Sequence, residues 1–244
     1  MIGLPNKKCN RAGKSPTYYN KLVPSEKSHN MEGHFAVTLP EFNQYNMLID
    51  LDLLIAHGGK IHTYSCDDYI FEIEETPKCY YQIVSGDVKL NYTDEYGKEL
   101  IQSLLTTGES VCELLLFVDE KYPVNAVAMC DCTIIKVPKA EFLKMLDQHP
   151  LAAVDVRQYI SKTLYQKFIM MQNIASNSAE QRIKGTLKYF KSFFQDKTPF
   201  SYEVKLTRQQ FASITGLRTE TVIRNLKKLD KERFVKIENR KVYF

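Results

Sequence analysis

The spacing of apolar residues between Leu206 and Leu229 constrains this chain more than any other stretch. Thr207 is placed to cap a short helix whose apolar positions are Phe211 and Ile214. Thr215-Gly216 stops that helix, because glycine adopts the left-handed backbone that a tight turn needs. A second helix then carries Val222, Leu226 and Leu229 at i, i+4 and i+7, one buried stripe, while Thr219, Glu220, Ile223, Arg224, Lys227 and Lys228 fall on the other side. Two short helices joined by a glycine turn, the second with a basic outer face, form a helix-turn-helix pattern. Arg offers two hydrogen bonds to O6 and N7 of guanine, and Glu accepts from N4 of the paired cytosine. At positions 220 and 224 the two lie one turn apart on one face.

Charge is distributed to match. Residues 1–30 hold 6 basic and 1 acidic residue, 31–177 hold 11 and 21, and 178–244 hold 16 and 7. The basic C-terminal third suits phosphate contact, and the acidic middle argues against DNA contact there. At 244 residues the chain suits two domains, each able to bury a core. LLLFV at 114–118 is bracketed by Glu113 and Asp119, so no run reaches the ~20 apolar residues of a membrane span. The first residues hold positive charge without a following apolar core, and the expectation is a cytoplasmic protein. None of the 6 cysteines stands in a CxxC pair. Neither a disulfide framework nor a zinc ribbon fits; reduced thiols and no metal site are expected.

In chain order, residues 1–40 are polar, basic and proline-punctuated, and read as a flexible extension. Met47, Leu48, Leu51, Leu54 and Ile55 suggest a short helical stripe, stopped at His57-Gly58-Gly59. Short segments rich in Ile, Val, Tyr and Phe follow: Lys60–Tyr64, Tyr69–Ile73, Cys79–Ser85, Asp87–Thr93, Glu99–Leu105, Val124–Met129 and Cys132–Pro138. Their length and turn chemistry predict an antiparallel sandwich or barrel over 41–149. Residues 150–177 lack glycine and carry Ile160, Leu164, Phe168 and Met171 near a heptad seam, which predicts a long helix. A further amphipathic helix follows Ser178, then a strand at Tyr202–Leu206. After the second helix of the pair, FVKIENRKVYF reads as a hairpin with Glu238-Asn239-Arg240 at its tip.

The phrases T-R-Q at 207–209, T-G at 215–216 and E-T-V-x-R at 220–224 resemble the C-terminal winged helix-turn-helix of the Crp/Fnr family of bacterial regulators. YYQIVSGDVKLNYTDEYGKELIQSLLTTGES, CELLLF at 112–117 and VNAVAMCDCTIIKVPKAEFLKML resemble that family's cyclic-nucleotide-binding jelly roll. The resemblance covers roughly residues 45–244. It implies an α+β protein: an N-terminal β jelly roll as sensor (41–149), a long dimerisation helix (150–177) and a winged helix-turn-helix (178–244). It implies a homodimer on a pseudo-palindromic double-stranded DNA site, no enzymatic activity, no membrane, and RNA polymerase as a further partner. Base contacts are expected from Glu220 and Arg224, from Ile223 on a thymine methyl, and from Thr219, where family members place a base-reading Arg. Phosphate contacts are expected from Thr207, Arg208, Gln209, Arg218 and Lys227, and from Arg240 and Lys241 on the wing. An alternative is a ligand-binding, redox or haem-sensing module whose DNA binding is secondary.

The effector is a separate matter. The resemblance places an effector pocket at Cys112, Glu113, Leu114, Pro123, Val124 and Asn125. Nucleotide-binding members hold the phosphate on a Gly-Glu-Leu turn with an Arg downstream. Cys112 replaces that Gly, and the Arg position falls on uncharged Pro123 or Val124, so the pattern for cyclic AMP is not intact. A phosphate leaving water there would lack its countercharge. Lys167 and Phe168 fall where nucleotide binders offer small hydroxyls to the base. Cys9 is alone near the N-terminus, which disfavours an iron-sulfur cluster. His57, His62, Cys66 and Cys112 have the residue type of haem ligands, and Cys130 and Cys132, two apart on a predicted strand, read as packing residues before a redox pair. The cofactor is left unassigned, with haem or thiol redox as alternatives.

Overall fold

The alternating segments between Lys60 and Pro138 fold as antiparallel strands: β1 (Lys60–Tyr64), β2 (Tyr69–Phe71), β3 (Cys79–Ser85), β4 (Asp87–Thr93), β5 (Glu99–Thr106), β6 (Asn125–Ala128) and β7 (Cys132–Pro138). The computed structural model describes residues 48–193 and 196–244; the basic extension expected at 1–40 lies outside the described residues. One sheet runs β1-β7-β3 and the other β2-β6-β4-β5, leaving β5 at an edge. The second sheet is register-locked by apolar pairs such as Val88 with Ala128 and Leu90 with Ala126. Asp94 builds the β4–β5 hairpin: its carboxylate accepts the amides of Tyr96 and Lys98, both at 2.9 Å, and Gly97 takes a left-handed φ of +76°.

The two inner faces bury Phe71, Tyr81, Ile83, Val88, Leu90, Val111, Tyr122 and Ile134 in one core. A second core lies under α1 (Leu51–Ala56) and α2 (Lys139–Gln148), where Tyr80 stacks on Phe142 with ring centroids 4.1 Å apart. Gln82 is fully buried and satisfied: it exchanges hydrogen bonds with the backbone of Ile49 and accepts the Tyr80 hydroxyl at 2.7 Å.

Several expected boundaries shift for local reasons. The first helix starts at Leu51, because the Asp50 carboxylate caps it by accepting the amides of Asp52 and Leu53. Leu48 therefore precedes it, Met47 lies outside the described residues, and Ile55 is exposed. Strand β2 stops at Phe71, since the Ile73 amide is taken by the Asn125 side chain at 2.8 Å. Cys130 is not on a strand: it lies in the bend between β6 and β7, and only Cys132 enters the ladder.

The long helix α3 (Pro150–Ala175) has proline in its first turn, where no amide partner is lost. Helix α4 (Ala179–Phe193) packs on its end. The C-terminal part adds β8 (Glu203–Val204), α5 (Arg208–Thr215), α6 (Thr219–Lys231), β9 (Lys236–Glu238) and β10 (Lys241–Tyr243), with sheet order β8-β10-β9. Its core joins Ile183, Leu187, Phe190, Phe211, Val222, Leu226, Leu229 and Val242, and Ile101 of β5 packs into the same cluster.

Candidate nucleic-acid interface and sensor pocket

Local chemistry fixes the helix pair. Thr207 caps α5 with a reciprocal box: its hydroxyl accepts the Gln210 amide at 3.1 Å, and the Gln210 side chain accepts the Thr207 amide at 2.9 Å. Such a cap contributes about 1 kcal/mol. Gly216 ends α5 at φ +66°, the conformation that only glycine takes without cost. Arg182 of α4 braces the joint, donating to the carbonyls of Ser176 and Thr215 at 2.6 and 3.4 Å.

Helix α6 buries Val222, Leu226 and Leu229 and turns Glu220, Ile223, Arg224 and Lys227 to solvent, with Thr219 half-buried in its first turn. Among the described residues Arg224 has no ion-pair partner, so its guanidinium is free for a ligand. Lys228, also on the exposed side, serves the fold instead: it pairs with Glu180 of α4 at 2.7 Å and Glu232 at 3.7 Å. Asn239 and Arg240 both take left-handed backbone and make a two-residue hairpin tip. Arg208 is half-buried and donates to the Arg240 carbonyl at 3.1 Å, which anchors this wing to the start of α5. Lys241 pairs with Glu203 at 2.9 Å. Gln209 and Arg218 are exposed.

On α3, Leu164, Phe168 and Met171 are 52, 50 and 61 % exposed, an apolar stripe left uncovered among the described residues. Ile160 is half-buried and packs on the chain's own second core.

At the turn expected to hold an effector, several side chains are engaged within the fold. Cys112 adopts φ +56°, a left-handed position where glycine is at ease, and starts a 3-10 turn over Glu113–Leu116. Glu113 is buried and accepts the Ser110 hydroxyl at 2.6 Å. Val124 is buried beside Tyr122, whose ring stacks on Phe71 at 3.7 Å; Leu114 and Pro123 face solvent. Asn125 is committed to the Ile73 amide. Burial pushes the Cys112 thiol up to about 12, and burial with the Cys130 neighbour raises Cys132 to about 11, so neither carries thiolate at neutral pH. The Cys132 thiol donates to the carbonyls of Asp87 and Cys130. Both ring nitrogens of His57 are engaged, with the Leu53 carbonyl and the Gln148 side chain.

A different cavity opens where β5, α3, α4 and α5 meet, with Ser103, Glu109, Tyr159, Lys167 and Phe190 in its wall. Beside it, the sensor touches the reader directly. Ser213 of α5 donates to Glu99 of β5 at 3.1 Å, and Lys98 of the hairpin donates to the Gly216 carbonyl in the helix-turn-helix turn at 3.0 Å. Sequence reasoning missed Glu99, Glu109 and Tyr159, because nothing in their spacing marks them.

Comparison with known proteins agrees with this architecture. Residues 61–149 match the cyclic nucleotide-binding domain and residues 181–243 the Crp-like helix-turn-helix domain. The chain is 27 % identical over 177 residues to the cAMP-activated global transcriptional regulator CRP of Salmonella typhimurium, covering 72 % of this chain and 84 % of that one. Its fold is similar to that of a CooA mutant from Carboxydothermus hydrogenoformans, with a TM-score of 0.71 at 16 % identity, covering 85 % of this chain and 93 % of that one. It is also similar to the c-di-GMP responsive regulator CLP of Xanthomonas campestris, with a TM-score of 0.63 at 20 % identity and coverages of 80 and 97 %. A β jelly roll joined by a long helix to a helix-turn-helix defines a DNA-binding transcription regulator. The chain belongs to the Crp/Fnr family. Among the described residues no helix is long and apolar enough to cross a membrane.

Proposed function

We propose that the protein is a homodimeric, sequence-specific regulator that reads a pseudo-palindromic site in cytoplasmic DNA under control of an effector sensed by the jelly-roll domain. The observation that carries this reading is the outer face of α6. Its capped partner helix and Gly216 present Glu220, Ile223 and Arg224 together, with Arg224 in no ion pair among the described residues. In this reading Glu220 and Arg224 contact one G·C pair, Ile223 a thymine methyl, and Thr219 the neighbouring base. Thr207, Arg208, Gln209, Arg218, Lys227, Arg240 and Lys241 line the phosphates. Lys241 exchanges Glu203 for a phosphate.

The dimer forms through α3, where Leu164, Phe168 and Met171 need an apolar partner. Two recognition helices then meet two half-sites about one helical turn apart. RNA polymerase is the further partner, and no chemistry of an enzyme is assigned. The effector is left unassigned, and the pattern for cyclic AMP is not intact: Cys112, Glu113, Leu114, Pro123, Val124 and Asn125 include no cationic side chain for its phosphate.

Selection of bound sequences from random duplex DNA tests the reading. The expected product is a two-fold symmetric motif with a conserved G·C pair in each half. Recovery of random sequence would remove the regulator assignment.

A further inference from the structure

Three cysteines meet at one corner of the sensor. Cys130 lies in the bend at 129–131, Cys132 opens β7, and Cys66 sits in the turn between β1 and β2. Two backbone hydrogen bonds hold that turn to the end of β6, from the Asp67 amide to the Ala128 carbonyl and from the Ala128 amide to the Asp68 carbonyl, both at 2.9 Å. The Cys66 thiol donates to the next carbonyl, that of Met129, at 3.3 Å. On the other side of the bend the Cys132 thiol donates to the Cys130 carbonyl at 3.1 Å, and the Cys130 and Cys132 side chains hydrogen-bond each other.

A regular strand would hold the Cα atoms of residues 130 and 132 about 6.6 Å apart, at the long end of what a disulfide spans. The bend shortens that distance and brings the two sulfurs into contact. The two thiols differ in access. Cys132 is 3 % exposed, and a Cβ at Gly86 would lie 2.6 Å from its sulfur, so the turn between β3 and β4 covers it. Burial and the Cys130 neighbour raise that thiol to about 11, which bars it from a first attack on an oxidant, since the thiolate is the nucleophile. Cys130 is only half-buried, and so reachable. An accessible thiol beside a shielded one is the arrangement of an attacking cysteine and its resolving partner.

We propose that Cys130 and Cys132 are a site of reversible oxidation by hydrogen peroxide. The Cys130 thiolate attacks one peroxide oxygen and the O–O bond breaks. The hydroxide released takes up the proton the thiol gave up, leaving water and a Cys130 sulfenic acid. The Cys132 sulfur then displaces the hydroxyl from the Cys130 sulfur: the S–S bond forms, and the Cys132 proton leaves with that hydroxyl as a second water. A dithiol reverses the bridge by thiol–disulfide exchange. The bridge forms next to the reader's support, because Met129 in the same bend packs against the core of the C-terminal part. Its consequence for DNA rests on the regulator reading above, whereas the oxidation is measured without DNA.

The test is mass spectrometry of the reduced full chain after hydrogen peroxide, with remaining thiols alkylated and the bridged peptide sequenced. The natural protein is expected to lose two hydrogens, one each from Cys130 and Cys132, and to recover both thiols in dithiothreitol. Cys130→Ser should form no bridge. Cys132→Ala should stop at a Cys130 sulfenic acid, captured by dimedone, and Cys66→Ser should form the bridge at the natural rate. The assignment in the natural protein decides the matter should a variant not fold. A bridge to Cys66 or to any other cysteine, oxidation of Cys130 without closure, or no oxidation would each overturn the pair. On the selected duplex, oxidised and reduced protein should differ at least about fivefold in affinity. Equal affinity would overturn the link through Met129. A bridge in a protein that selects no DNA sequence would keep the site and remove the regulator reading, and sequence selection without a bridge would do the reverse.

Discussion

Ser213 on α5 donates a 3.1 Å hydrogen bond to Glu99 on β5, so the first helix of the reader is fastened to the edge strand of the sensor. The other carboxylate oxygen of Glu99 accepts from Lys89 at 2.8 Å and Asn91 at 2.6 Å. The carboxyl is thereby held below its ordinary range, these bonds outweighing its burial. Ser213→Ala should cost about 1 kcal/mol, and Glu99→Ala about 1–3 kcal/mol, because the latter also strands Lys89 and Asn91. Urea unfolding of both single variants and the double variant checks this. Additive effects would mean that the two residues do not act together.

Arg224 and Arg208 should separate in DNA binding. Arg224→Ala is expected to cost ~1–3 kcal/mol on the selected site and to flatten preference at one base pair. Arg208 touches the wing carbonyl of Arg240, so Arg208→Ala should weaken all sequences alike and lower the salt slope. Fluorescence anisotropy over a series of salt concentrations distinguishes them, and equal weakening of every sequence by both variants would refute the base contact.

Phe168 is half exposed at the centre of the apolar stripe on α3. Phe168→Glu should convert a dimer to a monomer in sedimentation equilibrium and reduce DNA affinity at least tenfold, through loss of the second half-site. A dimer that persists would place the interface elsewhere.

Glu109 makes stability depend on pH. Its carboxyl is raised from 4.5 to about 7 by burial; Lys162 draws it down, Glu113 and Asp87 push it up, and Tyr159 and Tyr189 also face it. Between those values the folded chain holds a proton that the unfolded chain has released, so stability falls as pH rises through the window. The loss is at most about 3 kcal/mol. Urea midpoints at about pH 5 and about pH 8 should differ more in the natural protein than in Glu109→Gln. An identical difference would place the titrating group elsewhere.

The reading head was legible because its determinants are local. Thr207, Gly216 and the Val222, Leu226, Leu229 stripe each act within one or two turns, and the strands Lys60–Tyr64, Cys79–Ser85, Asp87–Thr93 and Cys132–Pro138 end where their patterns end. Cys130 and Ile55 went astray because a bend and an exposed helix face depend on neighbours distant in the chain. The role of Lys228 was hidden for the same reason, since Glu180 lies 48 residues away.

The sequence by itself determined the order of elements, the identity of the two helices and the residues on the outer face of α6. Those follow from periodicity and backbone preference. Only the tertiary structure decided that Glu99 meets Ser213, that Glu113 turns inward to Ser110, and that Glu109 and Lys167 share a cavity. What it costs to bury Glu99 or Glu113 is set by the hydroxyl each meets, and sequence spacing carries no record of which neighbours the fold supplies.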